Sequence, residues 1–205
     1  MPSVSLIAYA DVDDLDFCGA LSVLAKASAA IGKSAISVNI VSEERSFRTS
    51  SGICFDAQDH WSPLKSAGFS DAIVVPGGAG AAVASQSAMF DSFFVEARAA
   101  GSQFYTICSG ALLLAGSGLL RNRHVAMHHT KHDLLRGAGC DKITSGLVKD
   151  TWLTSVGGDK APSCKSLDIT FELIKDLSPA VAAQVAARME LSGGRKTKTL
   201  AGVSA

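Results

Sequence analysis

Residues 103–116 read QFYTICSGALLLAG and place a cysteine between two segments of opposite character. The apolar run Gln103–Ile107 predicts a buried strand, and the alanine- and leucine-rich run Ser109–Gly116 predicts a helix. Small residues flank Cys108 at the junction. A strand that passes into a helix through one reactive side chain with small neighbours is typical of a nucleophile elbow, a sharp and strained turn.

The position of Cys108 at a predicted helix start favours a reactive thiol. Free N–H groups and the helix macrodipole stabilise a thiolate there. A cysteine that only packs at a strand–helix junction is the alternative, because free cysteines are commonly buried. The five cysteines are an odd number, are scattered and include no C-x-x-C pair, which favours a reducing compartment over a disulfide framework.

Strand-like and helix-like segments alternate along the rest of the chain. Strands are predicted at Val4–Tyr9, Ala35–Val41, Asp71–Val75 and Gln103–Ile107, with a hairpin over Phe47–Phe55 and two strands between Lys142 and Val156. Helices are predicted at Asp16–Ile31 with Gly32 as the C-cap, Met89–Ala100, Ser109–Gly116, Asp133–Gly137, Ser166–Leu177 and Pro179–Leu191. This alternation predicts an α/β fold whose mostly parallel sheet is covered on both faces. We predict one domain over residues 1–191 and a disordered tail over residues 192–205.

Composition and charge limit the partners. Nineteen basic and nineteen acidic residues give a formal net charge of zero, so nothing predicts binding to nucleic acid or to a membrane surface. No apolar run reaches the roughly 20 residues of a membrane span, and the N-terminus lacks the pattern of a signal peptide. We therefore expect a cytoplasmic protein that acts on a small molecule.

Two further strand ends carry candidate site residues, since chemistry in such sheets collects beyond the carboxyl ends of strands. Gly77 and Gly78 follow a predicted strand, and backbone N–H groups of this pair and of Ser109 would form an oxyanion hole; a simple turn is the alternative. Asp16 follows the first strand and is either a helix N-cap or a proton donor to Cys108, with a pKa raised by burial.

Histidines cluster at positions 124, 128, 129 and 132. His128 and His132 have helical spacing, but no third ligand lies in register, so we predict no metal and no cofactor. A histidine that orients the cysteine or activates water is the favoured role, and His128 is the candidate. Phe17, Cys18 and Trp61 are the candidates for the pocket wall.

Together these residues resemble the ThiJ/PfpI superfamily, which includes the Parkinsonism-associated deglycase, bacterial isonitrile hydratases, glyoxalase III-type enzymes and PfpI peptidases. The resemblance covers about Val4 to Leu191. It rests on LDFCG at 15–19, VVPGG at 74–78, the cysteine elbow, Leu119-Leu120 followed by His128, and LTSVGG at 153–158. It implies a flavodoxin-like three-layer sandwich, similar to class I glutamine amidotransferases, and a homodimer. It also implies Cys108 as the nucleophile, Asp16 as its acidic partner and His128 as the family histidine.

Two positions of this sequence differ from some branches of the superfamily and so indicate which branch it resembles. Ser109 stands where the peptidases have histidine and the deglycases have alanine, and Asp16 stands where the deglycases have glutamate. This pair resembles the isonitrile hydratase branch, although Ser109 replaces a usual threonine and His129 a common tryptophan. The resemblance implies hydration of an isonitrile to an N-substituted formamide. Glyoxalase III or deglycase-type activity on reactive aldehydes and a non-enzymatic redox or stress sensor are the alternatives.

Overall fold

The predicted alternation of strands and helices is confirmed by a computed structural model, which describes residues 1–30, 36–57, 61–158 and 164–191. The strands are β1 (Ser3–Ile7), β2 (Ser37–Ser42), β3 (Ser46–Arg48), β4 (Cys54–Asp56), β5 (Trp61–Pro63), β6 (Ala72–Val75), β7 (Gln103–Ile107), β8 (His124–Ala126), β9 (Lys142–Thr144), β10 (Leu147–Asp150) and β11 (Leu153–Val156). The helices are α1 (Asp14–Ser28), α2 (Ala81–Ala84), α3 (Ala88–Ala99), α4 (Ala111–Gly116), α5 (His132–Gly137), α6 (Lys165–Leu177) and α7 (Pro179–Arg188). Single 3₁₀ turns span Cys108–Gly110 and His129–Lys131.

The main sheet has seven strands in the order β10-β11-β7-β6-β1-β2-β5. Its strands pair in parallel except at one edge, where β10 runs antiparallel to β11. Every residue of β6 and β11 is buried, as is expected of strands covered on both faces. The protein is therefore an α/β sandwich with a mostly parallel sheet, as predicted.

The direction of the crossovers places helices on both faces of the sheet. The step from β1 through α1 to β2 moves towards one edge, and the step from β6 through α3 to β7 moves towards the other. Because such crossovers are right-handed, α1 and α3 cover opposite faces. Helices α1, α6 and α7 pack on one another, whereas α4 packs against α2 and α3.

Several predicted boundaries differ from the structure. Helix α1 begins at Asp14 because the side chain of Asp13 caps it, accepting a hydrogen bond from the Asp16 N–H at 2.9 Å, so the N-cap alternative for Asp16 is wrong. The region Lys142–Val156 holds three strands rather than two, since β9 pairs with β8 in a separate small sheet. Strand β5 was missed because it is a three-residue edge strand that ends in proline. The predicted end of the first helix at Ile31–Gly32, the start of a strand at Ala35 and the tail at 192–205 lie outside the described residues.

Within the described ranges, no helix is both long enough and apolar enough to cross a lipid bilayer.

Candidate active site

Cys108 lies directly after β7 with a positive φ of 53°, which confirms the predicted strained turn. Such an angle is uncommon for residues other than glycine and is found at functional sites. The turn closes tightly: a Cβ atom added to Gly110 would lie 2.6 Å from the Pro76 carbonyl oxygen and would also collide with that of Val75. The residue is only partly buried. The elbow therefore presents a thiol that an outside molecule can reach.

Asp16 lies in the first turn of α1 and is fully buried. Gly77 fills the space between it and the cysteine, since a Cβ atom added there would lie 2.7 Å from Asp16 Oδ2 and 2.8 Å from Cys108 Cβ. No side chain larger than hydrogen fits this position without movement. The structure thus brings Cys108, Asp16 and Gly77 together, as the sequence predicted.

The carboxyl group of Asp16 has an unusual electrostatic environment. Neither oxygen accepts a hydrogen bond of regular geometry from the described residues, although Lys165 Nζ lies 3.3 Å from Oδ1. Burial raises the pKa of Asp16 to about 6, with a smaller contribution from Asp13 and opposition from the Lys165 ammonium. A carboxyl group with this pKa can both hold and release a proton near neutral pH.

Lys165 is a site residue that the sequence analysis missed. It opens α6, and its side chain is 23% exposed. Burial lowers the pKa of Lys165, but the nearby charges of Asp16 and Cys108 more than offset this, so the pKa lies above its usual value. No local pattern marks Lys165, because 56 positions or more separate it from its two partners in the sequence and only the packing of α6 brings them together.

Ser109 and Gly78 bind each other across the site. The Gly78 N–H donates to Ser109 Oγ at 2.9 Å, and the Ser109 hydroxyl is 3.0 Å from the Gly78 carbonyl oxygen, to which it donates. The predicted oxyanion role of the Gly78 N–H is therefore wrong for this conformation, since the serine hydroxyl already occupies that donor. The role of the Ser109 N–H stays a prediction.

Tyr9, two residues beyond β1, was also missed. Its buried hydroxyl donates to the Pro76 carbonyl oxygen at 2.8 Å and so fixes the loop that carries Gly77. Burial, followed by the charges of Asp16 and Cys108, raises the pKa of Tyr9 well above its ordinary value. The phenol is therefore a neutral hydrogen-bond donor at physiological pH.

A model of the DJ-1/PfpI family matches residues 2–167, which is most of the chain. The protein belongs to the DJ-1/PfpI family. An isonitrile hydratase from Pseudomonas putida is 32% identical over 105 residues, which cover 51% of this chain and 46% of that protein. The matched segment thus spans less than half the length of this relative.

Solved structures agree with the DJ-1/PfpI assignment at the level of the fold. A ThiJ/PfpI family protein from Pseudomonas syringae has a TM-score of 0.78 and 18% identity, with 96% of this chain and 78% of that chain covered. Drosophila melanogaster DJ-1beta has a TM-score of 0.77 and 17% identity, with 94% and 99% covered. At these identities the likeness concerns the fold and not the reaction.

His128, to which the resemblance assigns the family histidine, makes its hydrogen bond elsewhere. Its Nδ1 lies 2.9 Å from Thr130 Oγ1, and its ring stacks on His129 with 4.5 Å between centroids. Burial, the neighbouring His129 and then Lys165 lower the pKa of His128, so it is neutral at pH 7. No hydrogen bond joins it to Cys108 within the described part of the chain. Its catalytic role stays a prediction.

Two of the three residues predicted for the pocket wall of this DJ-1/PfpI protein are elsewhere. Phe17 is fully buried in an aromatic cluster with Phe47 and Phe55, at centroid distances of 5.2 and 5.4 Å, so it cannot contact a substrate. Trp61 lies on the edge strand β5, which three strands separate from β7, roughly 19 Å across the sheet. Cys18 is half-buried on α1, where burial and then Asp14 raise its pKa. Among the described residues, no group of three metal-binding side chains is placed to hold a metal ion.

Proposed function

We propose that this protein hydrates a small isonitrile to an N-substituted formamide with Cys108 as the nucleophile. The observation that carries the proposal is the position of Cys108 on a strained elbow beside the buried Asp16 carboxyl, with Gly77 between them. The partial likeness to an isonitrile hydratase supports the choice of substrate.

In the first step, the Cys108 thiolate attacks the terminal carbon of the isonitrile and forms a carbon–sulfur bond. The same carbon takes a proton from the Asp16 carboxylic acid, which gives a neutral thioimidate and an aspartate anion. A carboxyl with a pKa of about 6 suits this step, because its neutral form is populated near physiological pH.

In the second step, water adds to the thioimidate carbon. Asp16 accepts a proton from the water and passes it to the substrate nitrogen, then takes the proton of the new hydroxyl as the carbon–sulfur bond breaks. The formamide leaves, and the enzyme returns to a thiolate and a protonated Asp16. The sum is one isonitrile and one water consumed for each formamide formed.

The decisive experiment is an assay of a small aliphatic isonitrile with the wild type, Cys108→Ala and Cys54→Ala, with the formyl proton of the product followed by NMR. We expect the Cys108→Ala variant to lose at least about a thousandfold in kcat. Cys54 is exposed on the separate two-stranded hairpin and serves as the matched control, with activity expected to be unchanged.

Three outcomes contradict the proposal. Formamide production by the Cys108→Ala variant would show that Cys108 is not the nucleophile. Consumption of methylglyoxal without consumption of the isonitrile favours the aldehyde reaction instead. Oxidation of Cys108 by mild peroxide without turnover of either compound favours a redox sensor.

A further inference from the structure

We propose that Lys165 is a further catalytic residue, whose ammonium group contacts the Cys108 sulfur and holds it as an anion. The inference deepens the proposed function and rests on it for the role of Cys108 as the nucleophile.

Helix packing places Lys165 in the site. A Cβ atom added to Gly19 of α1 would collide with the side-chain oxygen of Ser166 and lie 3.1 Å from its Cβ, so the two helices meet closely at this point. Ser166 is fully buried, and Lys165 precedes it in the first turn of α6. Because Gly19 lies one helical turn after Asp16, this contact brings Lys165 beside the carboxyl group.

The ammonium group of Lys165 lies beside Asp16 and near Cys108. Its Nζ lies 3.3 Å from Asp16 Oδ1, and Cys108 lies near enough for its charge to raise the pKa of the lysine. Its aliphatic stem passes Gly158, where an added Cβ atom would lie 3.1 Å from Lys165 Cδ. The stem and the head of Lys165 therefore both lie at the site that Asp16 and Cys108 share.

The charges of the site explain what this cation does. The thiolate and the carboxylate would place two negative charges in a partly dehydrated space, where repulsion is stronger than in water. A cation beside the carboxyl group and near the sulfur allows the sulfur to stay anionic while Asp16 exchanges its proton. His128 also lies near Lys165 but is neutral at pH 7, so it does not supply this charge.

Folding stability does not account for the Asp16–Lys165 pair. The carboxyl group is fully buried and its oxygens lack regular hydrogen bonds from the described residues, so its loss of hydration is poorly offset. Replacing an ion pair of this kind by apolar residues is commonly neutral or stabilising. The arrangement is explained by the chemistry of the sulfur.

The test measures the alkylation of Cys108 at pH 7 and needs no knowledge of the natural substrate. Iodoacetamide, which is neutral, and iodoacetate, which is anionic, each lose iodide as the thiolate forms a carbon–sulfur bond. The rate at Cys108 is read by mass spectrometry of its peptide in the wild type, Lys165→Met, Lys165→Arg and Lys149→Met. Lys149 on β10 is the matched control, because it forms ion pairs with Glu172 and Asp176 of α6, the helix that Lys165 begins.

We expect Lys165→Met to slow alkylation by iodoacetamide about tenfold, because the thiolate loses a partly exposed cation. The ratio of the iodoacetate rate to the iodoacetamide rate should also fall by about threefold or more, because a positive charge attracts the anionic reagent. Lys165→Arg retains the charge and should keep both values within about threefold of the wild type. Lys149→Met should leave both unchanged. If the methionine variant does not fold, Lys165→Gln gives the same loss of charge.

Unchanged rates and an unchanged ratio in the folded Lys165→Met or Lys165→Gln variant overturn the inference. Equal slowing in Lys165→Met and Lys149→Met overturns it as well, because that result indicates a general effect on α6. If alkylation depends on Lys165 but no isonitrile is hydrated, the inference holds and the proposed substrate is wrong. If the isonitrile is hydrated but alkylation is independent of Lys165, the proposed function holds and the inference is wrong.

Discussion

The Asp16 carboxyl group is fully buried, and its pKa of about 6 exceeds the ordinary value of 3.8. The folded protein therefore binds this proton more tightly than the unfolded chain does. By linkage, the contribution of this tighter proton binding to folding stability is fully present below about pH 4 and is lost as the pH rises through about 6. At the scale of the residue, folding therefore disfavours the charged form of Asp16, the group that transfers protons in the proposed reaction.

Replacement of Asp16 by asparagine tests whether the charged carboxylate destabilises the fold. We expect Asp16→Asn to raise the free energy of unfolding at pH 8 by about 2 kcal/mol, because a buried charge is removed. The difference from the wild type should vanish near pH 4, where Asp16 is protonated in the folded state. Urea unfolding at the two pH values measures both effects. The variant should also lose isonitrile turnover, since an amide does not donate the required proton. A variant that is less stable than the wild type at pH 8 would contradict the argument.

Gly77 offers a second test at the residue scale. In Gly77→Ala the new methyl group would lie 2.7 Å from Asp16 Oδ2, 2.8 Å from Cys108 Cβ and 2.9 Å from the Ile107 carbonyl oxygen. We expect a loss of stability of about 1–3 kcal/mol from overpacking. Turnover should fall about a hundredfold, because the carboxyl group and the sulfur are pushed apart.

The matched control for Gly77→Ala is Gly146→Ala, because a Cβ atom added to Gly146 has no neighbour within 4 Å. Unfolding curves and initial rates for the two variants separate the local clash from the general effect of replacing glycine. Equal activity in Gly77→Ala and the wild type would show that Gly77 is not the required spacer.

At the scale of the element, the contact between α1 and α6 determines whether Asp16 and Lys165 meet in the site. Asp16 belongs to α1 and Lys165 to α6, so the distance between their charges depends on how closely the two helices approach. Gly19 permits that approach, since the buried Ser166 occupies the space that a side chain at position 19 would need.

The substitution Gly19→Ala tests this contact. Alanine favours a helix over glycine by roughly 1 kcal/mol, but the clash with Ser166 should outweigh the gain and reduce stability by about 1–2 kcal/mol. Alkylation of Cys108 by iodoacetamide should slow as Lys165 moves away. Gly137→Ala, at the end of α5 where an added Cβ has no neighbour within 4 Å, should leave both unchanged or raise stability. A stabilised Gly19→Ala variant would contradict the packing argument.

At the scale of the whole molecule, the order of the strands assembles the site. Strands β1, β6 and β7 are neighbours, and Asp16, Gly77 and Cys108 follow them in that order. The crossovers from β1 and from β6 run in opposite directions, so the topological switch point of the sheet lies between these two strands. Ligands of open α/β sheets bind at such a point, beyond the carboxyl ends of the strands.

The sequence by itself determined the parts of this protein that depend on local chemistry. The strand, the small residues and the helix around Cys108 are adjacent in the chain, and they predicted the strained elbow that the positive φ confirms. Alternating apolar segments predicted the mostly parallel sheet. Motifs at the ends of β1 and β6 predicted that Asp16 and Gly77 lie beside the cysteine, since the ends of parallel strands meet at one edge.

Only the tertiary structure decided which distant side chains complete the site. Lys165 enters because α6 packs on Gly19, and Tyr9 turns inward to hold the Pro76 carbonyl. Ser109 occupies the Gly78 N–H, whereas Phe17 is fully buried in an aromatic cluster instead of the pocket wall. These positions depend on helix packing and on side-chain orientation across the fold. Helix packing and side-chain orientation leave no signal in the residues that neighbour Lys165 or Tyr9 in the sequence. A turn, in contrast, is encoded by the few residues that form it.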